Sequence, residues 1–366
     1  MQEKVSPVSV DIFCRVIDNY GDAGVMWRLA RALVNLNYRV RLIIDEPATL
    51  KSLAGCKESV PTEEIGKEEK IEVCLWEKDW DEGTCSLDPA EVVIEGFACR
   101  LPGDYQRKMA EHPPKWFNID YFSAEDWIEG CHLRPSIDPA TGLVKINYFP
   151  GVTEKSGSLT FEKDYEVLKA NWLKKQPKNT QALRVFFFAY PYGPIDEIAK
   201  ALSALNTEVQ LSLTRCEASH LLEDALGRMS HSQLTVKHLP FVAQKEFDSL
   251  LWDSDIVFIR GEDSAARAML AGVPFIWHIY RQEDDVHLIK LKALQERMRP
   301  YFEDESVFNT WCSVQEALNR KTFPTEDFRK LFEHYSQWKE ASAGFARHLQ
   351  SLGSLSEKLS DLIKNG

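Results

Sequence analysis

The stretch Arg260-Gly261-Glu262-Asp263-Ser264 lies between segments that leave little choice of local fold. Before it, Asp255-Ile256-Val257-Phe258-Ile259 is a short apolar, β-branched run, the pattern of a buried strand. After it, Ala265-Ala266-Arg267-Ala268-Met269-Leu270-Ala271 consists of good helix formers, stopped by Gly272 and Pro274. Phe275 to Tyr280 then predicts the next strand. The five polar residues therefore fall at the carboxyl end of a strand, where a helix opens. Open α/β sheets bind ligands at that edge, and the unpaired N–H groups of a helix start attract anions. A phosphate-bearing ligand follows. Carboxylates are poor direct partners for phosphate, so Glu262 and Asp263 suit sugar hydroxyls while backbone N–H groups face the phosphates. Ser264 suits either the helix N-cap or a phosphate oxygen. A plain strand-to-helix turn with a polar cap accounts for the same residues about equally well.

A second βαβ pattern opens the chain. Val10 to Val16 predicts a strand, Asp18-Asn19-Tyr20-Gly21-Asp22-Ala23-Gly24 a polar loop, and Val25 to about Leu36 an amphipathic helix. Val40 to Ile44 returns as a strand, which implies a parallel sheet. Further strands are expected at Ile71–Trp76 and Val92–Ile94, while Pro113–Asp126 is aromatic and ambiguous. The character changes at Phe149-Pro150-Gly151. A charged helical stretch, Phe161–Lys174, and the run Lys175 to Asn179 follow, so 151–181 is read as a linker. Strands resume at 183–188, 209–213, 234–238, 255–259 and 275–280, and a helical tail runs from about Thr325 to Ile363. At 366 residues the chain can hold two cores. The expectation is two α/β domains, 1–150 and 182–344, whose sheets present their carboxyl ends to a shared cleft.

The formal charge of −12 argues against a nucleic-acid partner, because no net basic field collects phosphates. Eight cysteines without a C-x-x-C pair predict buried thiols in a reducing compartment. Neither a leader nor an apolar run near eighteen residues is apparent, so the expected location is cytoplasmic, without a membrane. Asp18 and Asp22, just past a strand end, suit a general base or simple turn capping. Gly21 and Gly24 supply only G-x-x-G, weak support for a dinucleotide. Asp253-Ser254-Asp255 has a metal-binding D-x-D form but precedes its strand, at the wrong edge. His278 and His287 bracket the acids Glu283-Asp284-Asp285, a pattern read as a solvated loop. Tyr190 and Phe241 each follow a strand, placed to donate to a phosphate and to stack on a nucleobase, with core packing as the default.

Together these segments resemble one family. Val16 through Arg31, Val92 through Phe97, Tyr121 through Trp127, Phe149-Pro150-Gly151, Leu239-Pro240-Phe241 and Leu250-Leu251-Trp252 carry the likeness in order. The most specific block is Arg260 through Ser264 with Ala271-Gly272 and Pro274 through Tyr280. They look like the EarP family of bacterial protein-arginine rhamnosyltransferases, which modify elongation factor P. The resemblance implies a GT-B fold, two Rossmann-like domains, with a C-terminal helix at about 345–366 returning to the first. It implies dTDP-β-L-rhamnose as donor, one arginine of elongation factor P as acceptor, inversion at the anomeric carbon, and no metal or other cofactor. The modification in that family activates elongation factor P for rescue of polyproline-stalled ribosomes.

Carried over by position, Asp22 is the expected base and Asp18 its partner in acceptor handling. Glu262 would touch the sugar. Asp263 and Ser264 would hold the diphosphate, Arg260 would support that turn, and Phe241 would stack on thymine with Gln244 at its edge. Tyr190 would meet the diphosphate, though Tyr192 competes for that place. Position 23 is Ala, where relatives are expected to be bulkier. Two other readings share the donor site: a GT-B enzyme with a small-molecule acceptor, and a non-catalytic binder of nucleotide sugars.

Overall fold

A computed structural model describes residues 6–18, 20–176, 182–229 and 233–365. They fall into two compact units, Met1–Lys163 with Leu352–Gly366, and Asp164–Ser351. The first unit carries β1 (Ser9–Cys14), β2 (Arg39–Ile44), β3 (Ile71–Leu75), β4 (Val92–Gly96), β5 (Lys115–Ile119), β6 (Pro135–Ile137) and β7 (Val144–Tyr148). Their order is β3-β2-β1-β4-β5-β7-β6, parallel throughout except for the last pair. The second unit carries β8 (Leu183–Phe187), β9 (Val209–Leu213), β10 (Leu234–His238), β11 (Ile256–Arg260) and β12 (Phe275–His278) in the order β10-β9-β8-β11-β12, all parallel.

Each sheet reverses direction of growth at one point, between β1 and β4 in the first and between β8 and β11 in the second. Ligands of doubly wound sheets settle at such points. Asp18 and Asp22 follow β1, Tyr190 follows β8, and residues 261–264 follow β11. Topology alone thus brings the chemistry-bearing residues of each unit to its switch point.

Strand alternation sends Ile12 and Cys14 to one face of the first sheet and Phe13 to the other. On the first face they pack with Met26, Leu29 and Leu33 of the helix Tyr20–Asn35, and with Leu355, Leu359 and Ile363 of the last helix, Leu355–Asn365. Phe13 meets Ile43, Trp76, Val93, Tyr105 and Trp116. Each such buried side chain contributes about 1.5–3 kcal/mol, which is enough to fix the return of the last helix.

Several boundaries differ from expectation. The aromatic stretch 113–126 contains β5, whose polar Asn118 is buried and accepts a hydrogen bond from the Ala98 N–H at 2.9 Å. Strands β6 and β7 were not anticipated; Lys145 and Asn147 interrupt the apolar signal. The first helix begins at Tyr20, so Gly21 through Gly24 form its opening turns and not a loop. Of the expected linker, residues 151–163 belong to the first unit and 164–176 to the second. The Leu355 N–H donates to Leu159 O at 2.9 Å in the first, and Trp172 Nε1 donates to Asp253 Oδ1 at 2.9 Å in the second. Pro177–Gln181 lie outside the described residues.

Candidate active site

In the first unit the focus is Asp22, a first-turn residue of the helix after β1 and only 1 % exposed. Its Oδ2 accepts the backbone N–H groups of Ile17 and Asp18 at 2.8 and 2.9 Å. The carboxylate therefore reaches back from the first turn to the chain entering the helix, in the manner of the acid of a capping box, and is locked in one orientation by doing so. Asp18 folds back against the same turn, with its carbonyl accepting the Gly21 N–H at 2.6 Å. A Cβ at Gly21 would stand 2.8 Å from Asp18 Oδ2, so glycine permits this close approach. Asp45, just past β2, accepts the Val16 N–H at 2.9 Å. Burial pushes the Cys14 thiol well above its ordinary range, and neighbouring Cys99, Asp22 and Asp45 push the same way. Asp22 and Asp45 thus place two carboxylates near this strand end.

The neighbouring strand adds a feature that no motif predicted. Phe97, Ala98 and Arg100, beyond β4, take positive φ angles of 56°, 51° and 56°. The strained turn is held by Ala98 N–H on Asn118 Oδ1 and by Arg100 N–H on Glu95 Oε1, the latter at 2.8 Å. The Phe97 and Tyr121 rings stack with centroids 4.3 Å apart. Non-glycine backbone strain of this kind concentrates where a binding surface is built.

In the second unit, Arg260 closes β11 and Gly261 is the N-cap of the helix Glu262–Ala271, with φ of 67°. Ser264 is accordingly inside the first turn and is not the cap. Gly261 O accepts the indole N–H of Trp277 at 2.7 Å, pinning the turn to β12. Asp263 Oδ2 accepts from Gln244 Nε2 at 3.2 Å. One turn further along each helix, Arg267 and Asp248 form a buried two-pronged ion pair, Nε to Oδ1 at 2.8 Å and Nη2 to Oδ2. Glu262 Oε1 meets Lys290 Nζ at 2.7 Å. Lys290 escaped the sequence reading because it lies on a later helix, Val286–Met298, outside every motif considered.

Aromatic packing fixes the rest. The Arg260 guanidinium lies over the rings of Phe188 and Tyr190, at 4.6 and 5.0 Å. His278, opposite Arg260 in the β11–β12 register, accepts the Tyr190 N–H on Nδ1 at 3.2 Å. Tyr190 is buried and stacks on Tyr192, whose hydroxyl accepts the Arg281 N–H at 3.3 Å. Phe241, beyond β10, is 58 % exposed, so its ring is not core packing. His278 lies in the strand expected at 275–280 and is buried, as is His287 beyond the acidic run that the two histidines bracket. The role of His278 in holding the Tyr190 backbone could not be read from spacing.

The structure gathers Tyr190, Gln244, Arg260, Glu262, Asp263 and Ser264 about one sheet edge, with Phe241 on the loop after β10. It brings Asp18 and Asp22 together at the edge of the other sheet. The D-x-D acids are engaged elsewhere: Asp253 takes the Trp172 indole, and Asp255 clamps Arg184 through Nε and Nη2 at 3.0 Å each.

Two imidazoles are held neutral. Burial, with Arg260 and His287 adding to it, pushes His278 down to about 3; burial, with Lys358, pushes His132 down to about 4. The unfolded chain, with ordinary histidines near 6.5, takes up protons that the fold refuses. Their stabilising contribution is therefore complete above about pH 6.5 and is lost as pH falls toward 4 and 3, at up to about 1.4 kcal/mol per pH unit for each. Urea unfolding between pH 7 and 4 should show this decline, and His278→Gln should flatten its slope. An unchanged slope would contradict a neutral buried His278.

Two Rossmann-like parallel sheets, each with its polar residues collected at a switch point, define a GT-B glycosyltransferase fold. The solved EarP chain from work on EarP-mediated arginine glycosylation of translation elongation factor EF-P superposes with a TM-score of 0.62, covering 98 % of this chain and 99 % of that one at 22 % identity. MurG of Acinetobacter baumannii shares the fold with a TM-score of 0.54 and 12 % identity, over 98 % of this chain and 100 % of that one. The family model for the elongation factor P (EF-P) rhamnosyltransferase EarP matches residues 10–364. The protein-arginine rhamnosyltransferase of Pseudomonas putida is 36 % identical over 319 residues, 81 % of this chain and 83 % of that protein. That of Neisseria meningitidis is 33 % identical over an alignment 377 positions long, which covers 96 % of each protein. The chain belongs to the EarP family of EF-P rhamnosyltransferases. Among the described residues, no helix is long and apolar enough to cross a membrane.

Proposed function

We propose that this enzyme transfers L-rhamnose from dTDP-β-L-rhamnose to one arginine of EF-P in the cytoplasm, inverting the anomeric centre and using no metal. The observation that carries the reading is the buried Asp22 carboxylate, held just beyond β1 by two backbone N–H groups. An arginine, with a pKa above about 12, is a cation and a poor nucleophile. A fixed carboxylate can bind the guanidinium, aim one nitrogen and accept its proton as the C–N bond forms. We assign Oδ1 of Asp22 to that task and Asp18 to orienting the guanidinium.

In the donor half, N–H groups at the start of the Glu262–Ala271 helix face the diphosphate, with Asp263 and Ser264 beside them. Glu262 meets the sugar, Arg260 and Tyr190 shape the turn and its phosphate contacts, and Phe241 stacks on thymine with Gln244 at the base edge. In-line attack from the face opposite the leaving dTDP inverts the centre. The proton passes to Asp22 and the electron pair of the broken C–O bond leaves with the nucleotide.

The test is intact mass of EF-P after incubation with the enzyme and dTDP-rhamnose. One added deoxyhexose, mapped to arginine, is expected. Consumption of donor without labelled EF-P would indicate a small-molecule acceptor, and dTDP binding without any turnover would indicate a regulator. Phe241→Ala should weaken dTDP binding by about 1–3 kcal/mol, the range found for base–aromatic stacking. Calorimetry showing unchanged affinity would remove Phe241 from the nucleotide site.

A further inference from the structure

The start of the Glu262–Ala271 helix poses an electrostatic problem. It carries two acids in its first turn, Glu262 and Asp263, at the end proposed for a negatively charged diphosphate. A helix N-terminus favours one anion, but carboxylates and diphosphate gathered there repel one another. Asp263 Oδ2 accepts from the Gln244 amide. Glu262 is met differently. Lys290 Nζ lies 2.7 Å from Glu262 Oε1, with the lysine side chain 15 % exposed and the glutamate 22 %. This tertiary contact joins helices on either side of β12. Partly withdrawn from water, it is less screened than a surface pair.

We propose that Lys290 is the positioning residue of the donor half-site. Its ammonium holds Glu262 in one orientation toward the sugar and offsets the carboxylate charge, so that Glu262 and the diphosphate can occupy the same helix end. This rests on the reading of residues 260–264 as the donor cradle. Lys290 takes no proton in the reaction. The guanidine nitrogen bonds to the anomeric carbon, the bond from that carbon to the diphosphate oxygen breaks with its electron pair, and the proton goes to Asp22. Lys290 acts before this step, through Glu262.

The proposal makes a prediction that a purely structural lysine does not. Removing the ammonium alone leaves Glu262 to repel the diphosphate, whereas removing both charges relieves the repulsion. Calorimetric titration with dTDP, which lacks the sugar, isolates this effect from the sugar contact. Lys290→Gln should weaken dTDP binding by about tenfold, and Lys290→Arg should stay within about threefold of wild type. Adding Glu262→Gln to Lys290→Gln should return affinity to within about threefold of wild type, a strongly non-additive pair. With EF-P and dTDP-rhamnose, Lys290→Arg should keep most of kcat while Lys290→Gln loses it. Melting curves of each full-length variant verify folding. Wild-type dTDP affinity in Lys290→Gln, or a double variant as weak as the single one, would overturn the proposal while leaving the donor cradle intact. A wild-type enzyme that binds no dTDP would overturn the cradle, and the proposal with it.

Discussion

Asp22→Asn is expected to lower kcat by about three orders of magnitude, the middle of the range for loss of a general base, while dTDP affinity and melting temperature stay near wild type. The two functions of this side chain can be separated because they use different properties. Capping needs an oxygen that accepts the Ile17 and Asp18 N–H groups, and an asparagine oxygen does that. Taking a proton from a guanidinium needs the negative charge, and asparagine lacks it. Asp22→Ala removes both, so it should lose the same activity and also about 1 kcal/mol of stability for each of the two partly buried hydrogen bonds. Turnover of EF-P and thermal melting, measured together, give two independent readings. An active Asp22→Asn would reduce Asp22 to a cap and move the base to Asp18. An inactive but stable one would support the assignment.

Much of this architecture was legible because parallel sheets write themselves as short apolar runs separated by helices. The 255–280 stretch named its own strand, turn, helix and strand, and the structure differs there by one to three residues, the helix opening at Glu262 and not after Ser264. The first helix was harder. Glycines at 21 and 24 and acids at 18 and 22 argued for a loop, yet the chain is helical from Tyr20 because tertiary packing and the Asp22 cap outweigh weak local propensity. Strand β7 was invisible for a related reason. At the margin of a sheet only one face needs apolar residues, so Lys145 and Asn147 broke the run. The family motifs placed the candidate site residues, but not what holds them. Lys290 and Asp248 lie outside the motifs and become meaningful only through contacts across helices. His278 was within a motif, yet its acceptance of the Tyr190 N–H depends on strand register, which one sequence does not specify.

Asp248→Ala should destabilise the second unit by about 3–5 kcal/mol, because it leaves the Arg267 guanidinium buried without its carboxylate. For a unit of this size that is roughly a 10 °C fall in melting temperature. The consequence should extend to ligand binding through geometry. Asp248 stands one turn from Gln244 on one helix, and Arg267 one turn from Asp263 on the other, so ion pair and amide contact are successive rungs between the same two helices. Loosening the buried rung should weaken dTDP binding although neither residue is assigned to the nucleotide. Paired replacement distinguishes charge from packing. Asp248→Leu with Arg267→Met removes both charges and keeps apolar volume, so it should regain most of the lost stability, as buried pairs exchanged for hydrophobic groups often do. The Arg267 contact over the Tyr165 ring, at 4.8 Å, is lost in that variant and limits the recovery. If the single substitution costs less than about 1 kcal/mol, the pair is effectively solvated and does not brace the helix start. If stability returns in the double variant but dTDP affinity does not, the ion pair is retained for the placement of the Glu262–Ala271 helix more than for folding, and the rung beside Asp263 depends on it.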